Sequence, residues 1–169
     1  ESSRVAGSDA RPMPDEPRAV ALPPPEAVPN YMLLNHESAI DTDGNGYPDL
    51  VRVVTALFCR PEYTAPTHAS GAFVFTRYRP GEAHEAGATP VAEWRFDGAP
   101  FHGQRAVAAY GLCYRFELNL RDQGGDRRPA TTCDLRGRYE PANGGPFVET
   151  SDEPRWVQIG RGDRTSEDR

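Results

Sequence analysis

An all-β fold, an antiparallel β-sandwich of seven or eight strands, is predicted by three features of this sequence. No segment sustains the i, i+3, i+4, i+7 apolar pattern of an amphipathic helix, whereas short β-branched and aromatic runs recur with a period of two. Clusters of Gly, Pro and Asp separate those runs. The 17 prolines and 16 glycines among 169 residues place about a fifth of the chain in residues that break helices and make turns.

Residues 1–29 carry seven prolines and few large apolar groups, too little burial to offset the entropy of ordering. They read as a proline-rich linker, semi-rigid at its PPP run, that holds a domain off a surface or orders on a partner subunit. The domain then spans 30–160. Its predicted strands are YMLLNHESAI (31–40), LVRVVTALF (50–58), GAFVFTRYR (71–79), PVAEWRFD (90–97), AVAAYGLCYRFELNL (106–120), TTCDLRGRYE (131–140) and RWVQIG (155–160). In the fifth, Tyr110, Leu112, Tyr114, Phe116, Leu118 and Leu120 share one face, with Arg115, Glu117 and Asn119 on the other. Trp94 and Phe96 point inward in the fourth, Glu93 and Arg95 outward. The charged end at 161–169 reads as a second flexible tail.

The net charge of −6, with 25 acidic residues against 19 arginines and no lysine, argues against nucleic acid and anionic membranes as general partners. No apolar run approaches the roughly 20 residues that span a bilayer. The start at Glu1 fits a processed export product or a trimmed chain. Cys59, Cys113 and Cys133 lack zinc spacing. A disulfide plus a free thiol would suit an exported protein, three buried thiols a cytosolic one. Strand phase lets Cys59 and Cys133 both face the core and turns Cys113 the other way, which favours Cys59–Cys133; Cys113–Cys133 comes next, because those two strands could be hairpin neighbours.

The strongest motif is DTDGNGYPD at 41–49. Asp41, Asp43, Asn45 and Asp49 fall at positions 1, 3, 5 and 9 of a calcium loop, with Gly46 at the turning position 6. The carbonyl of Tyr47, at position 7, completes an oxygen set suited to Ca2+, which takes six to eight such ligands; Mg2+ fits an extended loop less well. The competing reading is a solvated Asp-Gly/Asn-Gly turn.

This stretch resembles the acidic loops of EF-hands, dockerins, thrombospondin type 3 repeats and FG-GAP blades. Arg52 stands where the EF-hand has its bidentate glutamate and no helices flank the loop, so the strand-like continuation is most similar to FG-GAP loops. The wider pattern also resembles small exported or lipid-anchored β domains of planctomycete-type bacteria. That resemblance implies an extracytoplasmic, calcium-stabilised sandwich, a structural or binding module with protein partners in an envelope or secreted assembly, and no assigned reaction.

Other constellations are weaker. HEAGA (84–88) lacks the second histidine of a zinc-protease helix. Ser70 has His68 near it and no orienting acid. RGD at 161–163 arises easily in a tail rich in Arg and Asp. Glu93, Asp97 and Glu117 could serve a hydrolase, but acids facing outward from strands are usually solvated. Trp94, Trp156, Tyr110 and Tyr139 could form the stacking platform of a carbohydrate-binding module if exposed, whereas Trp94 and Tyr110 are in phase with the core.

Overall fold

A computed structural model describes residues 20–98, 101–123, 126–150 and 153–161. Two antiparallel sheets stack face to face as a sandwich-like all-β fold. In the first, β1 (Tyr31–His36), β2 (Leu50–Phe58), β7 (Gly111–Asn119) and β6 (Arg105–Ala108) lie in that order, with the short β3 (Pro66–Thr67) on β2. In the second the order is β10 (Arg155–Ile159), β8 (Thr131–Pro141), β4 (Gly71–Tyr78) and β5 (Ala92–Asp97), with the short β9 (Val148–Glu149) on β8. The expected linker falls partly on residues 1–19, and the expected tail, RGD included, almost wholly on 162–169; both spans lie outside the described residues.

Period-two patterning places the core. Val51, Val53, Thr55 and Leu57 of β2 and Tyr114, Phe116 and Leu118 of β7 face Phe73 and Phe75 of β4 and Leu135 and Tyr139 of β8. Buried hydroxyls are satisfied by the nearby connection: Tyr114 Oη accepts from the Ala69 N–H at 2.9 Å, and Tyr139 Oη donates to the Ser70 carbonyl at 2.7 Å. Trp94 is buried as expected, its indole N–H donating to the Asn119 carbonyl at 3.0 Å.

Two expectations are corrected. The predicted strand 106–120 is a hairpin: β6 pairs with β7 from Arg105↔Tyr114 to Ala108↔Gly111, and Gly111 turns the chain at φ 109°. Tyr110 therefore leaves the inward set and packs its ring 6.3 Å from Phe58 on the outer face of the first sheet. That outer face holds a second apolar cluster of Ala56, Phe58 and Cys113, covered in part by Tyr31, Leu33 and Val54.

The expected Cys59–Cys133 disulfide is not formed; all three cysteines are free and buried. Cys59 and Cys133 both follow the core phase, but phase does not say at which end of a strand a residue stands. Cys59 follows β2 at the end where β3 and the 69–70 connection meet Tyr139. Cys133 lies six residues before Tyr139 on β8, about 20 Å away at strand rise, beyond the reach of an S–S bond. Cys113 does face away from the core, as expected, and sits in the second cluster.

Arg77 breaks the pattern of β4. It points inward with Phe73 and Phe75, is buried, and its Nε and Nη2 have no hydrogen-bond partner. Burial, with Arg128 nearby, lowers its pKa. Because an unpaired charge inside a core costs more than an apolar group of equal length, Arg77→Met is expected to stabilise the fold by about 1–2 kcal/mol. Urea unfolding of the two proteins checks this.

Candidate metal centre

The 41–49 loop joins β1 to β2 at one end of the sandwich. It is closed at its base by backbone hydrogen bonds between Ile40 and Leu50 and from the Asp49 N–H to the Ile40 carbonyl at 2.8 Å. The register Leu50↔Asn119 carries the connection after β7 to the same end, so Arg121 and Asp126 meet the loop there.

Within the loop, backbone N–H groups hold the carboxylates. Asp41 accepts from Gly44 at 2.8 Å and from Gly46 at 2.6 Å, and Asp43 accepts from Asn45 at 3.1 Å. Gly44 and Gly46 make this possible with φ of 73° and 85°. Asp49, the deepest of the set at 2 % exposure, accepts from the Thr42 N–H at 3.0 Å and from its hydroxyl at 2.8 Å. Asp41, Asp43 and Asp49 each present an oxygen within 4.8 Å of the others.

The other two expected residues, Asn45 and Tyr47, make contacts of their own. Asn45 turns its Oδ1 to the Tyr47 N–H at 2.8 Å and donates its Nδ2 to Asp43 at 3.1 Å and to Asp126 at 3.0 Å. Tyr47 lays its ring 5.7 Å from the Arg161 guanidinium. Two residues that were not in the expected set belong to this site. Arg121 pairs with Asp43 at 3.1 Å, with Asp49 at closer contact, and with Asp126 at 3.7 Å. Asp126 stands in QGGDRR, a second Asp-Gly cluster after a strand, which is the signal that could have nominated it.

Three carboxylates, Asp43, Asp49 and Asp126, thus pair with one guanidinium, and Asp41 lies beside two of them. The donor set is all oxygen and strongly anionic, which fits a hard dication. Arg121 supplies one positive charge to the same place, so a dication bound there would have to compete with it.

Burial pushes the Asp41 carboxyl up, but hydrogen bonds from the backbone N–H groups of Gly46, Gly44 and Asn45 outweigh it and hold the pKa below the ordinary 3.8. Asp126 is also held below 3.8, first by its hydrogen bond from Asn45 and then by Arg121 and Arg127, against some desolvation. Both shifts stabilise the charged form, so their contribution is present above pH 3.8 and lost as pH falls through the lower folded values. The Gly44 and Gly46 amide resonances should hold steady down to pH 3.8 and move below it, and Asp126→Asn should remove the Asp126 part of that titration.

The hydrolase carboxylates do not converge. Glu117 faces out from the first sheet and pairs with Arg52 at 3.0 Å, whereas Glu93 and Asp97 lie on β5 of the second, Asp97 paired with Arg95 at 3.0 Å. Among the aromatics, Trp94 and Tyr139 are buried and Trp156 is exposed. No protein-family model matches the chain, and no curated protein and no solved structure matches it either.

Proposed function

We propose that this chain is a non-enzymatic β-sandwich module whose 41–49 loop binds calcium, and that it serves as a structural or binding module of an envelope or secreted assembly. The observation that carries this reading is the convergence of Asp41, Asp43 and Asp49 within 4.8 Å, in the register of a calcium loop, at the junction of two core strands. Asp126 adds a fourth carboxylate through Asn45. With Arg52 at position 12 in place of the bidentate glutamate, the site belongs to the weak class, which fills at the calcium levels found outside cells. Location outside the cytoplasm rests on this affinity argument, since the thiols are unpaired. The proline-rich segment before Tyr31 serves as the tether or the partner-binding arm.

An ion that binds only the folded loop stabilises the fold by mass action. At 100 times its Kd the gain is about 2.7 kcal/mol, which raises Tm by roughly 5–10 °C for a domain of this size. Melting in calcium and in chelator tests the site, and an unchanged Tm refutes it. Arg121→Ala sharpens the test. Removing the positive charge that pairs with Asp43 and Asp49, largely screened by water, should tighten calcium about tenfold. If the guanidinium alone is the cation of this site, the same variant loses stability and gains no calcium affinity.

A further inference from the structure

We infer that the exposed indole of Trp156 is the stacking platform of a carbohydrate site on the open side of the sandwich. The inference rests on the binding-module reading above, and its test is read separately from that of the ion.

β10 and β1 are the edge strands of their sheets on the same side, tied by the Arg155 Nε–H donating to the Leu34 carbonyl at 2.8 Å. Val157 and Ile159 turn into the core, so alternation turns Trp156 outward, where it is 74 % exposed. Phe147, also exposed, has the Arg138 guanidinium 5.1 Å over its ring. Among the described residues no ring or guanidinium covers Trp156.

Two clefts flank the indole, and His36 lines both. One, of about 530 Å³, lies towards His84, Glu153 and Arg155; the other, of about 310 Å³, lies towards Ser38 and Gln158. Both are in the size range of small-ligand sites.

The composition of the rim selects the ligand. A protein-docking patch is built round a contiguous apolar centre, whereas here one large flat apolar group stands among polar side chains, with Ala39, Pro48 and Pro154 interspersed. A pyranose has the complementary surface: an axial C–H face that lies on an aromatic ring, and equatorial hydroxyls that each donate and accept. The rim offers both roles, with imidazoles, an amide and a hydroxyl that do either, a carboxylate that accepts and a guanidinium that donates. Clefts on both sides of the ring suit a chain of sugars crossing it better than a single residue.

Trp94 is a built-in reference, because it is the other tryptophan and is buried. Acrylamide quenching of the intact chain therefore reports Trp156. Cellohexaose, maltohexaose and hexa-N-acetylchitohexaose are the probes. At least one is expected to protect the quenchable fraction with a Kd of about 1 mM, an ordinary value for a shallow site. Trp156→Ala should abolish that protection and Trp156→Tyr should weaken it, both with unchanged Tm. Absence of protection by all three sugars at about ten times that concentration overturns the inference. So does equal binding by Trp156→Ala, or protection by an extended Val/Thr decapeptide alone, which would make β10 an edge for strand addition. The calcium-dependent melting shift is read separately, so failure of the sugar site and failure of the calcium module are distinct results.

Discussion

Asp49→Ala is expected to lower the unfolding free energy by about 3 kcal/mol and to erase the calcium-dependent rise in Tm. Asp49 is the deepest acid of the loop, and it does three things at once. It accepts the backbone N–H and the hydroxyl of Thr42, it pairs with Arg121, and it immediately precedes β2. Removing it opens the loop at its base and leaves the Arg121 guanidinium with Asp43, Asp126 and the Thr42 hydroxyl. Because Thr42 and Arg121 have access to water, the loss stays below that of a sealed ion pair. Asp49→Asn separates the two effects: an amide retains an acceptor for Thr42 and should recover about half of the stability, as expected for one retained hydrogen bond, while the calcium response stays absent. Urea unfolding with and without calcium measures both. A calcium shift that survives Asp49→Ala would remove this residue from the ligand set.

Phe73→Ala is expected to cost about 4 kcal/mol, within the usual range for a buried phenylalanine. Its ring is 0 % exposed and lies at the centre of the sandwich, 5.1–5.5 Å from the rings of Phe101, Tyr114, Phe116 and Tyr139, with Phe75 at 6.4 Å along the same strand. Neighbours that are themselves rigid rings held by backbone hydrogen bonds, as Tyr114 and Tyr139 are, cannot collapse into the space. Phe73→Leu should lose less than half as much. The urea midpoint should fall with an unchanged slope if the fold is retained. A loss below about 1.5 kcal/mol would mean that the two sheets close over the gap.

The proposed calcium loop and the proposed sugar platform are carried by different elements of the sandwich. The acidic loop occupies one end of the sandwich, where β2 begins and β7 ends, and the indole stands on the edge formed by β1 and β10. Pro48, within the loop, also lines the smaller cleft beside Trp156, so the two proposed sites adjoin there.

What the sequence by itself determined is local. Alternation with a period of two shows in any strand covered on one side, so β2 was legible at Leu50–Phe58 and the inward phases of Trp94, Tyr114, Phe116 and Leu118 followed. The Asp-Gly-Asn-Gly spacing places its own carboxylates, because the turn that brings Asp41, Asp43 and Asp49 together is encoded within nine residues. The same local logic failed at 106–120, where a turn centred on Ala109 and Tyr110, closed by Gly111, interrupts an apolar run without breaking its hydrophobicity.

What only the tertiary structure decided depends on which strands are neighbours and in what register. The β2–β7 pairing brings Arg121 and Asp126 to the loop, seventy and more residues from Asp49, and so supplies both the guanidinium and the fourth carboxylate. The order of strands in each sheet makes β10 an edge and leaves Trp156 in the open, though an identical residue at Trp94 is buried. It also sets Cys59 and Cys133 at opposite ends of the core. Side-chain phase repeats along every strand, so it carries no information about position along the strand axis; that is set by long-range backbone pairing and by how the two sheets pack.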